Sequence, residues 1–175
     1  MFTADDLRVL AEAELDDALE EVDIIPNLNS AFIEFAEDFR KTETQTVNAV
    51  ADEWIDRTDG HLSIVRVTYE GLEYMFDFEL SYDGSQIRFK DSGLFEVTSI
   101  VAPAPITAMT DFIPVHDVFQ VGLSRYLQAC FKLKDNDQNE DGLRLKTEAM
   151  ALIKGASALL GQGDIRQGQR VKIKR

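Results

Sequence analysis

From Leu62 to Val101 the apolar residues of this chain recur at every second position, while on both sides of that stretch they recur at helical spacing. A period of two belongs to strands and a period near 3.6 to helices, so the chain is expected to set a sheet between helical segments. Leu62–Tyr69, Leu72–Leu80, Gln86–Lys90 and Leu94–Val101 read as four strands, with Glu70-Gly71, Asp83-Gly84 and Ser92-Gly93 as turns. Leu72, Tyr74, Phe76, Phe78 and Leu80 share one side, opposite Glu73, Asp77 and Glu79. That alternation predicts an antiparallel sheet with one buried and one wet, acidic face. The β-branched start of Thr42–Arg57 favours a further strand followed by a loop, so the β insertion spans about 44–101.

The flanks supply the helices. Thr3 is a candidate N-cap with Asp6 at the capping-box position, and Leu7, Leu10, Ala11, Leu15, Ala18, Leu19 and Val22 follow at helical spacing. This predicts a first helix over 4–22. Pro26 suits the beginning of a helix better than its interior, and Leu28, Phe32, Phe35 and Phe39 then stripe a second helix over 27–40. Pro103 and Pro105 mark an extended connector. Beyond it, Val115, Val118, Phe119, Gly122, Tyr126, Cys130 and Leu133 line one helix (115–133), and Ala149, Met150, Ile153, Ala156 and Leu160 another (140–160). The expected class is α+β: a four-helix bundle-like core in a single domain, 1–160, with an inserted antiparallel β-meander. Residues 161–175 show no sustained period and read as a flexible, extended basic tail.

Charge narrows the partners. The net charge is -14, which argues against wrapping nucleic acid by phosphate neutralisation. Yet Arg166, Arg170, Lys172, Lys174 and Arg175 crowd the last ten residues without an acid among them. A basic end on an acidic body suggests docking on an acidic partner, and the alternation of Val171 and Ile173 with the lysines suits an added strand. Acidic residues from Asp5 onward do not resemble a secretory signal, no apolar run is long enough to span a bilayer, and one cysteine allows no internal disulfide. A soluble, cytosolic product is expected.

Candidate chemistry is sparse. Asp137, Asn139, Asp141, Gly142 and Glu148 fit the calcium-loop pattern D-x-[DN]-x-[DN]-G-x5-E. Against it, Arg144 stands where an aliphatic residue pairs two such loops, Asn136 precedes Asp137, and no second loop exists. An Asp/Asn-rich connector between antiparallel helices is expected in any case. His61 and His116 lie far apart without a motif, Cys130 sits on an apolar helix side, and Ser85, Ser92 and Ser124 lack a nucleophile elbow. Gly161, Gly163 and Gly168 have no preceding strand and no Gly-Lys-Ser/Thr ending, so they do not read as a phosphate loop. No enzyme, cofactor or metal site is expected.

In layout the chain resembles the bacteriophage head-to-tail adaptors, also called connectors or tail tubular protein A-like proteins. The resemblance rests on Leu28-Asn29-Ser30-Ala31 in the second helix, a β-rich insertion, Ile113-Pro114 ahead of a long helix, and Lys134-Asp135-Asn136-Asp137 leading into the last one. It implies a structural virion protein at the head–tail junction, assembled in the host cytoplasm. Identical subunits, typically twelve, would ring the exit beneath the portal and join it to a tail or nozzle protein. Genomic DNA would pass the lumen without sequence-specific binding, and no membrane would be involved. Arg166, Arg170, Val171, Lys172, Ile173, Lys174 and Arg175 would dock on the portal. Two alternatives remain: a small acidic binding module such as a secretion chaperone, and a calcium-binding regulator using the 137–148 loop.

Overall fold

The computed structural model describes residues 1–15, 18–58, 61–74, 78–134 and 139–168, the last seven by backbone alone. The chain divides into two compact units: Met1–Phe39 with Pro103–Arg175, and Arg40–Ala102.

The first unit is helical. It contains α1 (Ala4–Leu15), α2 (Glu21–Glu34), α3 (Ala36–Phe39), a 3-10 turn at Asp117–Phe119, α4 (Gln120–Lys134) and α5 (Asn139–Gly168). The capping box at the start of α1 is formed: Asp6 N–H donates to Thr3 Oγ1 at 3.2 Å, and the Asp6 carboxylate accepts from Thr3 N–H at 2.8 Å. The bonds it accepts from Thr3 N–H and then Thr3 O–H hold the Asp6 carboxyl below its usual range. The next two orphan donors of that terminus, Ala4 and Asp5 N–H, reach the carbonyls of Asp111 and Met109. Asn29 clamps the same connecting segment by both ends of its amide, accepting from Ile106 N–H at 2.9 Å and donating to Ile106 C=O at 3.0 Å.

The expected first helix, 4–22, does not form as one piece. Extending α1 through Asp16, Asp17, Glu20 and Glu21 would heap carboxylates on the negative end of its dipole. Instead α1 stops at Leu15, and Leu19 N–H is met by the Glu12 carboxylate at 2.9 Å. Glu21 and Asp23 then stand in the favourable first turn of α2, which starts before Pro26 and keeps that proline inside. Ile24, Leu28, Ala31 and Phe32 are buried on one side of α2, so apolar phase rather than the proline sets where it begins. At its end, Phe35 leaves helical geometry (φ -113°, ψ 21°) and α3 follows as a separate turn.

A four-helix bundle-like core is also not what the helices build. They are too unequal, from 4 residues in α3 to 30 in α5, to share a common bundle length. The hub is α4, which packs on α1, α2 and, most extensively, α5. Gly122, Leu123, Ser124, Tyr126, Leu127, Gln128 and Ala129 are all buried, so α4 is covered over most of its circumference rather than along one stripe, with Val121 on the side left open. The last helix runs through the glycines expected to end it, past Leu160 to Gly168.

The second unit holds β1 (Thr42–Ala49), β2 (Trp54–Asp56), β3 (His61–Tyr69), β4 (Leu72–Glu73), β5 (Phe78–Leu80), β6 (Gln86–Phe89) and β7 (Gly93–Val101). They form two antiparallel sheets, in the orders β1-β7-β3-β4 and β2-β6-β5. A meander would pair neighbours in sequence. Here β7 returns to lie between β1 and β3, because Phe95, Val97, Ser99 and Val101 all bury their side chains and need cover on both flanks. The expected strand Leu72–Leu80 is split between the sheets, β4 joining β3 and β5 joining β6. Leu72 and Leu80 are exposed rather than buried, and Phe76 and Asp77 lie outside the described residues. The sheets share one apolar core of Val47, Ala49, Val67, Ile87, Phe89, Phe95 and Val97. Phe89 stacks on Phe95 with centroids 4.1 Å apart and planes 12° off parallel. Glu70 and Gly71 both adopt positive φ (50° and 77°), the geometry of a two-residue hairpin turn. Gly93 cannot carry a side chain, since a Cβ would stand 2.4 Å from the Tyr69 ring.

Candidate functional site

The residues that mimic a calcium loop are used otherwise. α5 begins at Asn139, so Asn139, Asp141, Gly142 and Glu148 lie on a helix rather than around a loop, and Asp137 falls outside the described residues. Arg144 pairs with Glu148 at 2.7 Å and with Asp141 at 3.5 Å. Gly142 serves close packing: a Cβ there would meet Leu133 Cγ at 2.7 Å and its backbone nitrogen at 3.0 Å. Among the described residues, no three of His, Cys, Asp and Glu gather as a metal-binding group.

The other sequence candidates have local roles. His116 caps the 3-10 turn, its Nδ1 accepting from Val118 N–H at 3.2 Å. His61 opens β3 opposite Val101. Ser85 donates to the Asp83 carboxylate at 2.8 Å and Ser92 Oγ accepts from Ala51 N–H at 2.9 Å, while Ser124 is buried inside α4. Burial pushes the Cys130 thiol above its ordinary range, which suppresses the thiolate a nucleophile needs.

Two polar knots instead tie α4 to its neighbours. The buried Gln128 donates to the Ala11 carbonyl at 3.2 Å and the Glu14 carboxylate at 3.0 Å, and accepts from Arg125 at 2.8 Å. Arg125 also reaches Glu14 at 2.8 Å and Glu148 at 3.7 Å, joining α1, α4 and α5. In the second knot, Tyr126 donates to Glu34 at 2.9 Å, and Lys146 reaches that carboxylate at 3.0 Å, joining α2, α4 and α5. Burial, and then the bond to Glu34, push the Tyr126 phenol well above its ordinary range. Satisfied on each side, such groups specify one arrangement of the helices. Glycine sharpens it: a Cβ on Gly122 would stand 2.7 Å from Ile153 Cγ1 and 3.3 Å from its backbone nitrogen.

The surface of this unit is where the arrangement stops being self-contained. With Leu145, Ala149, Ile153 and Ala156 buried, α5 turns Ala151, Leu152, Gly155, Ala158 and Leu159 outward, and all five are exposed. No acid occurs from Ala149 to Gly163, in a chain with 32 of them. Among the described residues Gly155 meets nothing: a Cβ there would find open space, so close packing against them does not explain a glycine at mid-helix. α2 carries a second, different face, with Val22, Pro26, Ser30 and Ile33 exposed along one side and Val22 and Ile33 71% and 75% accessible. Sequence reading missed both faces. For α5 the acid-free run was the available signal; for α2 the assumption of one helix over 4–22 hid Val22 in a core stripe.

Of the residues expected to dock on a partner, Arg166 lies on the α5 backbone, and Arg170, Val171, Lys172, Ile173, Lys174 and Arg175 fall outside the described residues. No helix among the described residues is long and apolar enough to cross a membrane. No protein-family model and no curated protein sequence matches the chain.

Proposed function

We propose that the chain is a structural subunit that associates head to tail into a closed ring, acting as the joint between a phage portal and its tail. The observation that carries this reading is the pair of unlike apolar faces on the helical unit, α2 with Val22 and Ile33 and α5 with Leu152, Gly155 and Leu159. A two-fold dimer needs one self-complementary patch, whereas a ring needs two that differ. Self-pairing through α5 would also set Lys154, exposed within that face, near its own copy. The acidic character suits the role, because carboxylates around a channel repel phosphates and let DNA pass without adhering. Function then comes from shape and charge, with no chemical step.

Electron microscopy of the full chain, alone and mixed with an isolated portal ring, tests the proposal. Closed rings, formed alone or seated on the portal, are the expected result. A discrete dimer that ignores the portal and binds an unfolded basic protein would replace this reading with that of a binding module.

A further inference from the structure

In the β unit main chain is left unpartnered along one sheet edge. β1 lies at the edge of its sheet and pairs with β7 over eight residues, Thr42–Ala49, with no shift of register. Val101 N–H donates to Lys41 C=O at 2.9 Å, which makes Lys41 and Val101 a hydrogen-bonded pair. Antiparallel ladders alternate, so the odd residues of β1 turn their backbone groups to β7 and the even ones turn theirs away. Thr42, Thr44, Thr46 and Asn48 therefore direct four N–H and four C=O groups off the sheet. All four residues are exposed, and no backbone bond among the described residues engages those groups. Long edges are commonly blunted by lysine, proline or a bulge, and Thr42–Ala49 has none of the three.

We propose that this edge receives residues 169–175 of a second copy of the chain as an added strand. The segment Gln-Arg-Val-Lys-Ile-Lys-Arg has seven residues against the eight of β1, and lacks proline and glycine. It alternates Val171 and Ile173 with Arg170, Lys172 and Lys174, so one register lays the apolar pair on the side where Val47 and Ala49 are buried and leaves those three cations on the other side, with Arg175 at the end of the strand. Charge favours it as well: the segment carries four cations and no acid, while Arg40–Ala102 holds twelve acids and six bases. The other edge of that sheet, β4, is two residues long and offers no comparable template. The segment expected by resemblance to grip a portal is thereby assigned a receptor on the chain itself. The inference needs two copies to meet and does not rest on their closing into a ring.

Residue-resolved hydrogen exchange on the full chain at low and high concentration tests it. The amides of Thr42, Thr44, Thr46 and Asn48 are expected to exchange at least about tenfold more slowly at high concentration. Deleting 169–175 should abolish that protection, and adding the seven-residue peptide to the deletion variant should restore it. A peptide of the same composition with Val and Ile adjacent should not. Thr46→Pro removes one outward donor at a position where an edge strand tolerates proline, and should weaken peptide binding at least about tenfold. Protection that is absent at every concentration, or that survives the deletion, overturns the inference. Copies that associate while the four amides stay open would defeat the added strand and leave the ring reading standing. Peptide protection in a chain that never associates would overturn the inference as well, since no second copy would then deliver the strand.

Discussion

The two units leave different things unfinished. The helical unit satisfies its polar groups thoroughly, down to both ends of Asn29 and every face of Gln128, and leaves apolar side chains outside. The β unit packs a core around stacked Phe89 and Phe95 and exposes apolar side chains of its own, Val65, Leu72 and Leu94 among them, but it also leaves a row of backbone donors and acceptors along β1. Helices consume their own main-chain bonds, so only side chains remain with which to bind; a sheet edge keeps its main chain available. One chain thus exposes two unlike kinds of unpartnered surface.

Removing the aromatic stack should affect the β unit most strongly. Phe89→Ala should destabilise the β unit by about 3–5 kcal/mol, the range for truncating a buried phenylalanine. Trp54, the chain's one tryptophan, lies in β2, so its fluorescence during denaturant unfolding reports that unit; an unshifted midpoint would mean that the stack does not organise the core.

Glycine gives the next test, with opposite signs on the two sides of α4–α5. Gly122→Ala should cost about 1–3 kcal/mol, because its Cβ meets the Ile153 backbone as well as a movable side chain. Gly155→Ala should raise stability of the separate subunit by up to about 1 kcal/mol through helix propensity, yet weaken association between copies. Helical circular dichroism on melting measures the first effect and sedimentation velocity the second. Tyr126→Phe comes lower, at about 1 kcal/mol for the lost bond to Glu34, and thermal unfolding should resolve it.

Smallest is a pH effect at the turn before β6. Ser81 O–H, then Ser85 N–H and O–H, hold the Asp83 carboxyl at about 2. The folded value lies below the ordinary one, so this contribution is complete above the usual aspartate range near ~3.9 and fades as pH falls towards about 2. An NMR titration of that carboxyl should find its midpoint below those of the solvated aspartates.

What the sequence disclosed was whatever a few adjacent residues decide. The Thr3–Asp6 capping box, the Glu70-Gly71 turn and the α4–α5 hairpin are local, and each was readable. The return of β7 between β1 and β3 was not, because pairing partners some fifty residues apart leave no mark in a window of ten. Nor was the break after Leu15, where accumulating negative charge outweighed a continuous apolar stripe. Gly142 was ambiguous for a related reason: glycine at a sharp turn and glycine under a crossing leucine are the same letter. The outward faces of α2 and α5 needed the buried side of each helix to be known first.

Mixing two blocked variants tests head-to-tail association most directly. Ile33→Glu spoils the α2 face and Leu159→Glu the α5 face, both at exposed positions. With residues 169–175 deleted to remove association through the β1 edge, native mass spectrometry should find each variant monomeric alone and a single one-to-one heterodimer on mixing, since one intact contact remains between them. If instead the Ile33→Glu variant dimerises by itself and mixing adds no new species, the faces are not complementary and the ring reading is wrong.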